Sequence, residues 1–361
     1  MSPTRIGFVL VSNSANPAPS TRIAVLNMFP YLRAGGFEPE ILFEPSDANE
    51  TPELSAIPRL AVERDLAVVV FQKVHGESAE RAAAGIAAAG IKSMYLVCDL
   101  MHEQMVAATD ATAATTDYLR DLHPLELRPK IEVIHDGIER PDIHKVSWTA
   151  HRGSRARPLQ AVLVTSRRLF GVPVLADVPD WLEVTIVGRY PPAADRLRRA
   201  REAYWDLATL RSTSERIAYL RFLASRRIRC VKWDPEFVYE AMVNADLGII
   251  PIDDSEPDSA PGGPMSTMRS ENRLTMKMCV GLPVVATTVP SYKPVIEQGR
   301  NGFLVETGGD WIGPLSALRD PEFRRTMGER ARDSVIERYS KEAQARKLID
   351  LFQRVVAGRA A

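Results

Sequence analysis

Residues 268–287 read MRSENRLTMKMCVGLPVVAT, a polar opening, a run with helical spacing and then a short apolar run. The pattern predicts a helix that begins at Glu271 or Asn272, with Ser270 as its N-cap, and that ends before Gly281. The methionines of this helix are expected in the core, where Met is common. A helix followed directly by an apolar strand is the building unit of α/β folds.

Similar short runs alternate with helical patterns along the whole chain. Because these runs are continuously apolar, they predict strands covered on both faces, as in parallel sheets. In the first half they are Ile6–Val11, Glu40–Phe43, Ala67–Phe71, Ser93–Val97 and Ile131–Ile134. In the second half they are Ala161–Thr165, Glu183–Val187, Leu247–Ile250, Pro283–Ala286 and Gly302–Val305. The sequence therefore predicts two doubly wound, Rossmann-like α/β domains facing across a cleft.

The predicted domain boundary is the polar segment Val146–Pro158, which has no periodicity and is typical of a linker. We expect a first domain over 1–150, a second over 151–340 and a closing amphipathic helix over 341–361. Ile252–Ser270 is too long for an ordinary strand-to-helix turn, and such loops usually carry function.

The composition indicates a globular cytoplasmic protein. The 361 residues include 46 basic and 46 acidic side chains, so nucleic acid and anionic membranes are not the default partners, and membrane contact is at most peripheral. The three cysteines are far apart beside apolar runs, which favours buried thiols in a reducing compartment. No leader pattern and no apolar run of about 18 residues is present in the sequence.

The start of the predicted helix is a candidate anion site. Ser270, Glu271, Asn272 and Arg273 place backbone N–H groups, a helix dipole and a guanidinium together, which suits a diphosphate. The alternative is an ordinary solvated helix start.

Other chemistries find less support in the sequence. It contains no G-x-G-x-x-G after the first strand, no P-loop, no G-x-S-x-G and no His/Cys set with zinc spacing. Asp253 and Asp254 are candidate Mg²⁺ ligands, but a solvated acidic loop is the favoured interpretation.

Six segments together resemble the GT-B glycosyltransferases of the retaining glycosyltransferase family 4. NRLTMKMCVGLPVVAT and the following VPSYKPVIEQGRNGFLV (289–305) resemble that family's donor-site helix, strand and loop. IEVIHDGIE (131–139) is similar to the family's "i.vIpNGID". Three further family segments occur in the same order, and they are similar to VTIVGRYP, VYEAMVNADLGIIP and MGERARDSVIERYS.

The resemblance implies transfer of a sugar from a nucleoside-diphosphate sugar to an acceptor hydroxyl, with retention and with no required metal or cofactor. It implies an acceptor-binding first domain and a nucleotide-sugar-binding second domain. The implied donor-binding residues are Ser270, Glu271, Asn272, Arg273, Gly188, Arg189 and Arg167. Members usually have a glutamate inside the helix for the ribose, where this chain has Met276, and Glu271 is a candidate substitute.

The first domain supplies the remaining candidates. Polar residues directly follow two predicted strands, in the segments VVFQKVHG and YLVCDLMHEQ. Residues at this position lie at the binding edge of a parallel sheet. The resemblance makes Asp99 and His102 the predicted catalytic residues, and Lys73, His75 and Arg22 the predicted acceptor-side residues.

Two alternatives stay open at this level. One is a nucleotide-sugar epimerase of the same architecture, and the other is a degenerate binding or partner protein, favoured by the missing helix glutamate. The base and sugar of the donor, the acceptor and the oligomeric state are not encoded in any motif of the sequence.

Overall fold

The protein is described by a computed structural model over residues 3–165, 173–210, 212–252 and 268–358. Its contacts divide the chain into two compact units. The first unit comprises the described residues within Met1–Glu139, Asp258–Asn272 and Arg338–Ala361, and the second those within Arg140–Pro257 and Arg273–Glu337.

The first unit contains a parallel sheet of six strands in the order β2-β1-β3-β4-β5-β6. The strands are β1 (Thr4–Val9), β2 (Phe37–Phe43), β3 (Val68–Gln72), β4 (Lys92–Val97), β5 (Ala111–Ala114) and β6 (Ile131–Val133). The strand order reverses between β1 and β3, and ligands of doubly wound sheets bind at such a point.

Helices cover both faces of this sheet. They are α1 (Pro19–Ala24), α2 (Phe29–Ala34), α3 (Ile57–Glu63), α4 (Glu77–Ala88), α5 (Glu103–Ala108) and α6 (Asp117–Asp121), with 3₁₀ turns at Leu26–Met28 and Arg128–Lys130. Alternate strand residues enter two different cores: Val69 and Phe71 pack under α3 to α6, whereas Val68 and Val70 pack under α2. The doubly wound prediction is confirmed for this unit.

The second unit contains another parallel six-stranded sheet, ordered β12-β11-β10-β7-β8-β9. Its strands are β7 (Leu159–Val164), β8 (Leu182–Gly188), β9 (Ile228–Lys232), β10 (Leu247–Ile250), β11 (Val284–Thr287) and β12 (Phe303–Val305). This is the dinucleotide-fold order, with its reversal between β7 and β10.

The remaining helices follow in chain order. They are α7 (Pro173–Ala176), α8 (Arg196–Thr209), α9 (Thr213–Ala224), α10 (Phe237–Asn244), α11 (Asn272–Val280), α12 (Ile312–Ala317), α13 (Pro321–Val335) and α14 (Lys341–Val356). The closing helix α14 packs on the first unit, where the Phe352 ring lies 5.6 Å from that of Phe37 and 6.4 Å from that of Phe8. Among the described residues, no helix combines the length and the apolarity needed to cross a bilayer.

Helix α11 and strand β11 form as the opening segment predicts. Leu274 and Met278 are completely buried, so the methionine-rich face belongs to the core. Gly281 ends the helix with φ at +93°, a conformation that favours glycine.

The units differ from the predicted domain limits at two places. The chain enters the second unit at Arg140, and part of the predicted linker is fastened there because buried Arg324 donates to the carbonyls of Thr149 and His151. Residues 268–272 belong to the first unit, since buried Met268 is part of its core. Three predicted donor-site residues, Ser270, Glu271 and Asn272, therefore lie with the first unit rather than in a 151–340 domain.

Candidate functional site

Two polar clusters lie at the carboxyl edge of the first sheet. The first, here named the Lys73 cluster, consists of Glu50, Lys73, His75, Asp99 and His102. Lys73 directly follows β3 and its Nζ lies 2.7 Å from Asp99 Oδ2 and 3.0 Å from Glu50 Oε1. Its backbone has φ at +60°, a region that non-glycine residues rarely adopt and that concentrates at functional sites.

The charge of Lys73 is compensated within this cluster. Burial by itself lowers the pKa of Lys73, but the neighbouring Cys98, Asp99 and Glu50 outweigh burial and raise the pKa. The ammonium group is thus held charged between two carboxylates, which also fixes the position of Asp99.

The two histidines of the Lys73 cluster stack on each other. The ring centroids of His75 and His102 are 3.5 Å apart and the ring planes differ by 18°. Burial, and then the neighbouring His75 ring, lowers the pKa of His102. The His102 imidazole is therefore neutral at pH 7, the form that accepts a proton.

The second cluster, here named the Glu271 cluster, consists of His135, Asp136, Ser270 and Glu271. Ser270 precedes α11, and its hydroxyl donates to Asp136 Oδ2 over 2.7 Å. Glu271 Oε1 lies 2.7 Å from His135 Nδ1, and the Glu271 side chain is almost wholly buried. The predicted capping residue Ser270 is thus tied to the loop that follows β6.

The carboxylates of the Glu271 cluster are poorly solvated. Burial raises the pKa of Asp136 to about 6, against a hydrogen bond from Ser270 that lowers it, and Glu271 and Glu139 raise it further. Among the described residues, Asp136 Oδ1 accepts no hydrogen bond. A buried acid in this state exchanges a proton near neutral pH, as groups at functional sites often do.

The two clusters are connected through the ends of β4 and β5. Thr115 Oγ1 donates to the Cys98 carbonyl over 3.4 Å, and the Thr115 carbonyl lies 2.9 Å from His135 Nδ1. Cys98 is itself next to Asp99. Both clusters therefore belong to one polar edge of the first sheet.

Arg22 makes an ion pair beside this edge. Its guanidinium binds both carboxylate oxygens of Glu139, at 2.8 and 2.9 Å, and Asn27 donates to the same carboxylate. Burial raises the pKa of Glu139, but the bonds from Arg22 outweigh burial and lower it. Arg22 thus joins α1 to the loop after β6, and its acceptor-side role stays a prediction.

The second unit carries the other predicted donor residues. Gly188 ends β8, and a side chain there would lie 3.0 Å from the Thr165 carbonyl, so the close approach requires glycine. The next residue, Arg189, is exposed. Arg273 is half-buried in the first turn of α11, and its carbonyl accepts a hydrogen bond from the buried Lys277 ammonium over 3.1 Å.

Arg167, Asp253 and Asp254 lie outside the described residues. Within the described part of the chain, no group of three or more His, Cys, Asp and Glu side chains is arranged to hold a metal ion.

Sequence reasoning missed His135, Asp136 and Glu50 as site residues. For His135 and Asp136 the signal was present, because polar residues directly after an apolar strand lie at the binding edge of a parallel sheet. Glu50 follows β2 within a loop that has no such signal.

Comparisons with known proteins support the architecture. No family model matches the chain. Among curated proteins, N-acetyl-alpha-D-glucosaminyl L-malate synthase of Bacillus anthracis is 41% identical over 69 residues, which span 18% of this chain and 18% of that relative's length.

Solved structures match over nearly the whole chain. HepE of Anabaena, solved with UDP-glucose, is 12% identical with a TM-score of 0.66, covering 97% of this chain and 99% of that chain. Sucrose-phosphate synthase of Thermosynechococcus elongatus is 14% identical with a TM-score of 0.66, covering 98% and 100%. A glycosyltransferase of Rickettsia africae is 13% identical with a TM-score of 0.65, covering 99% of each. The chain therefore has the two-domain α/β fold of the GT-B type.

Proposed function

We propose that this chain is a glycosyltransferase that moves a sugar from a nucleoside-diphosphate sugar to an acceptor hydroxyl. The observation that carries the proposal is the agreement of fold with glycosyltransferases over 97–99% of this chain. The polar carboxyl edge of the first sheet supports it, because doubly wound sheets bind ligands there. The ordered sequence motifs point to the same activity.

The donor diphosphate is proposed to bind at the first turn of α11. The backbone N–H groups at a helix start attract anions, and the Arg273 guanidinium adds charge and bidentate hydrogen bonding. Gly188 and Arg189, at the end of β8, are proposed as further donor contacts. This arrangement offsets the charge that develops as the nucleoside diphosphate leaves, so the proposal needs no cation.

The acceptor is proposed to bind at the Lys73 cluster. Neutral His102 is suited to accept a hydrogen bond from the acceptor hydroxyl, and Asp99 is held in place by Lys73. His75 supports His102 by stacking. Asp99 and His102 are the proposed catalytic residues, and retention of configuration is proposed from the family resemblance alone.

Glu271 is proposed to act through His135 rather than on the ribose. Its carboxylate is 2% exposed, and its Oε1 lies 2.7 Å from His135 Nδ1. The hydrogen-bond partner of His135 Nδ1 is the Thr115 carbonyl, so among the described residues Glu271 contacts the ring without a hydrogen bond. Met276 then supplies no ribose contact, and the nucleotide is proposed to be held through its diphosphate.

A thermal-shift panel of UDP, GDP, dTDP and ADP, each with and without EDTA, tests this proposal. A nucleotide at about 100 times its dissociation constant stabilises the native state by roughly 2.7 kcal/mol, which raises the midpoint by several degrees. We expect one nucleotide, first tested as UDP, to raise it with or without EDTA. The transfer itself is then measured as release of that nucleotide from its sugar conjugate, with and without candidate hydroxyl acceptors.

The panel also separates the alternatives. A shift that EDTA abolishes would replace the metal-free site by a cation-dependent one. No shift with any nucleotide would favour a degenerate binding protein. Conversion of the donor sugar without any acceptor would favour an epimerase.

A further inference from the structure

Helix α8 in the second unit exposes large apolar side chains. None of its 14 residues is buried. Leu197 is 87% exposed, Tyr204 67% and Trp205 61%. Leu197, Arg201 and Tyr204 follow the i, i+4, i+7 spacing, so they lie along one stripe of the helix.

Helix α9, which is joined to α8, also exposes large apolar side chains. Its inner residues Tyr219 and Phe222 are buried, whereas Ile217, Leu220 and Leu223 are about half exposed. The Tyr219 hydroxyl donates to Asp206 Oδ2 of α8 over 3.0 Å, which joins the two helices. We name the exposed side chains of these helices the α8–α9 surface, consisting of Arg196, Leu197, Arg201, Tyr204, Trp205, Ile217, Leu220, Arg221 and Leu223.

The segment around this surface is strongly basic in a chain of zero net charge. Residues 196–229 contain ten arginines, no lysine and three acidic residues. Each acid is already engaged: Glu202 with Arg198, Asp206 with Tyr219, and Glu215 in a capping box with Ser212. In the described part of the chain no ion pair involves the exposed side chains of Arg196, Arg201, Arg221, Arg226 and Arg229.

We propose that the α8–α9 surface docks on an anionic lipid bilayer. Guanidinium groups bind lipid phosphates, Trp and Tyr rings favour the interface between headgroups and acyl chains, and Leu and Ile side chains enter the acyl boundary. A second copy of this chain is a poorer occupant, because two arginine-rich surfaces would repel each other. Docking of this kind is independent of the transfer reaction.

The test is co-sedimentation of the full chain with extruded vesicles. We compare phosphatidylcholine vesicles with vesicles that contain phosphatidylglycerol in addition. We expect binding to the anionic vesicles only, weakened by salt. The double variant Arg201→Ala/Arg221→Ala is expected to lower the partition coefficient about fivefold for each arginine. Leu197→Ser/Trp205→Ser is expected to lower it at least tenfold, because two large apolar groups leave the interface.

Matched controls are Arg59→Ala and Leu125→Ser, which change an exposed arginine and an exposed leucine of the first unit. Both are expected to bind as the wild type does, and all variants are expected to keep its melting temperature. The proposal is overturned by equal binding to both kinds of vesicle, by no binding, or by surface variants that bind normally. A dimer in analytical ultracentrifugation that the same variants dissociate would assign the surface to a second copy instead.

Discussion

The two units each bury an ionisable group of opposite kind: the first buries the carboxyl group of Asp136, and the second buries the amine of Lys277. Asp136 is buried in the loop after β6 and accepts one hydrogen bond, from the Ser270 hydroxyl. Lys277 is completely buried in α11 and donates one hydrogen bond to the Arg273 carbonyl. Burial raises the pKa of Asp136 to about 6, whereas burial, together with the neighbouring Arg273 charge, lowers the pKa of Lys277 to about 7.

The two groups make stability depend on pH in opposite directions. The folded state holds the Asp136 proton more tightly than the unfolded state, so stability is lost as the pH rises from about 4 to about 6. The folded state holds the Lys277 proton less tightly, so stability is lost as the pH falls from about 10 to about 7. Each unit thus tolerates a poorly solvated ionisable group close to a proposed binding site. Four predictions test this difference between the units.

The largest expected effect concerns the assignment of chemistry to the first unit. His102→Ala and Asp99→Ala are expected to lower turnover by about 10² to 10⁴, because they remove the group that accepts or orients the acceptor hydroxyl. Nucleotide affinity should stay unchanged, since the proposed diphosphate contacts belong to α11. Steady-state kinetics and nucleotide titration measure both quantities. The exposed His144→Ala is the control, and near-normal rates in both variants would remove the Lys73 cluster from the chemistry.

The next prediction concerns the buried amine of the second unit. Lys277→Met is expected to raise the free energy of unfolding at pH 7 by about 2 to 4 kcal/mol, because it removes the cost of a buried charge while keeping the chain length. It should also abolish the gain in stability between pH 7 and 10. Urea unfolding at pH 7 and pH 9 measures this, with exposed Lys293→Met as the control. A variant less stable than the wild type would show that the amine is needed.

A smaller effect is expected for donor affinity in the second unit. Arg273→Ala should weaken binding of the nucleoside diphosphate by about 1.5 to 3 kcal/mol, the range for charge-assisted hydrogen bonds. Calorimetric titration of the nucleotide found in the thermal-shift panel measures it. Exposed Arg330→Ala should bind normally. Unchanged affinity in a folded Arg273 variant would exclude this residue from the donor site.

The smallest effect concerns the buried acid of the first unit. Asp136→Asn should raise the free energy of unfolding at pH 7 by about 2 kcal/mol, because the amide keeps an acceptor for Ser270 and carries no charge. It should also flatten the stability profile between pH 4 and 6. The pattern "i.vIpNGID", which residues 131–139 resemble, has an asparagine at this position. Chemical unfolding across this pH range provides the measurement, with exposed Asp350→Asn as the control. A profile that keeps its slope would assign the titration to another group.

Much of the fold was predictable because it depends on local pattern. The apolar runs predicted ten of the twelve strands in the part of the chain that the structure describes, and α11 with Gly281 formed as its sequence indicates. The two missed strands carry weak signals for physical reasons. β5 consists of Ala and Thr, and β9 is an edge strand in which the exposed Arg229 interrupts the apolar run.

The sites were predictable only in part. Lys73, His75, Asp99 and His102 were predicted to lie near the binding edge, because each follows an apolar strand, and the structure brings them together. The pairing of Lys73 with Glu50 and the stacking of the two histidines were not predictable, since side-chain contacts depend on loop geometry. The catalytic and donor roles of these and the other candidates stay predictions.

The alternation of strands and helices, and hence the two doubly wound sheets, follows from local sequence, because hydrophobic period and glycine position act within a few residues of the chain. Which ionisable groups are buried, and how burial shifts their pKa values, depends on the tertiary structure. Asp136 and Ser270 are 134 residues apart, yet their contact and the burial around it set the pKa of the acid. Desolvation depends on neighbours from distant parts of the chain, and no local pattern records them.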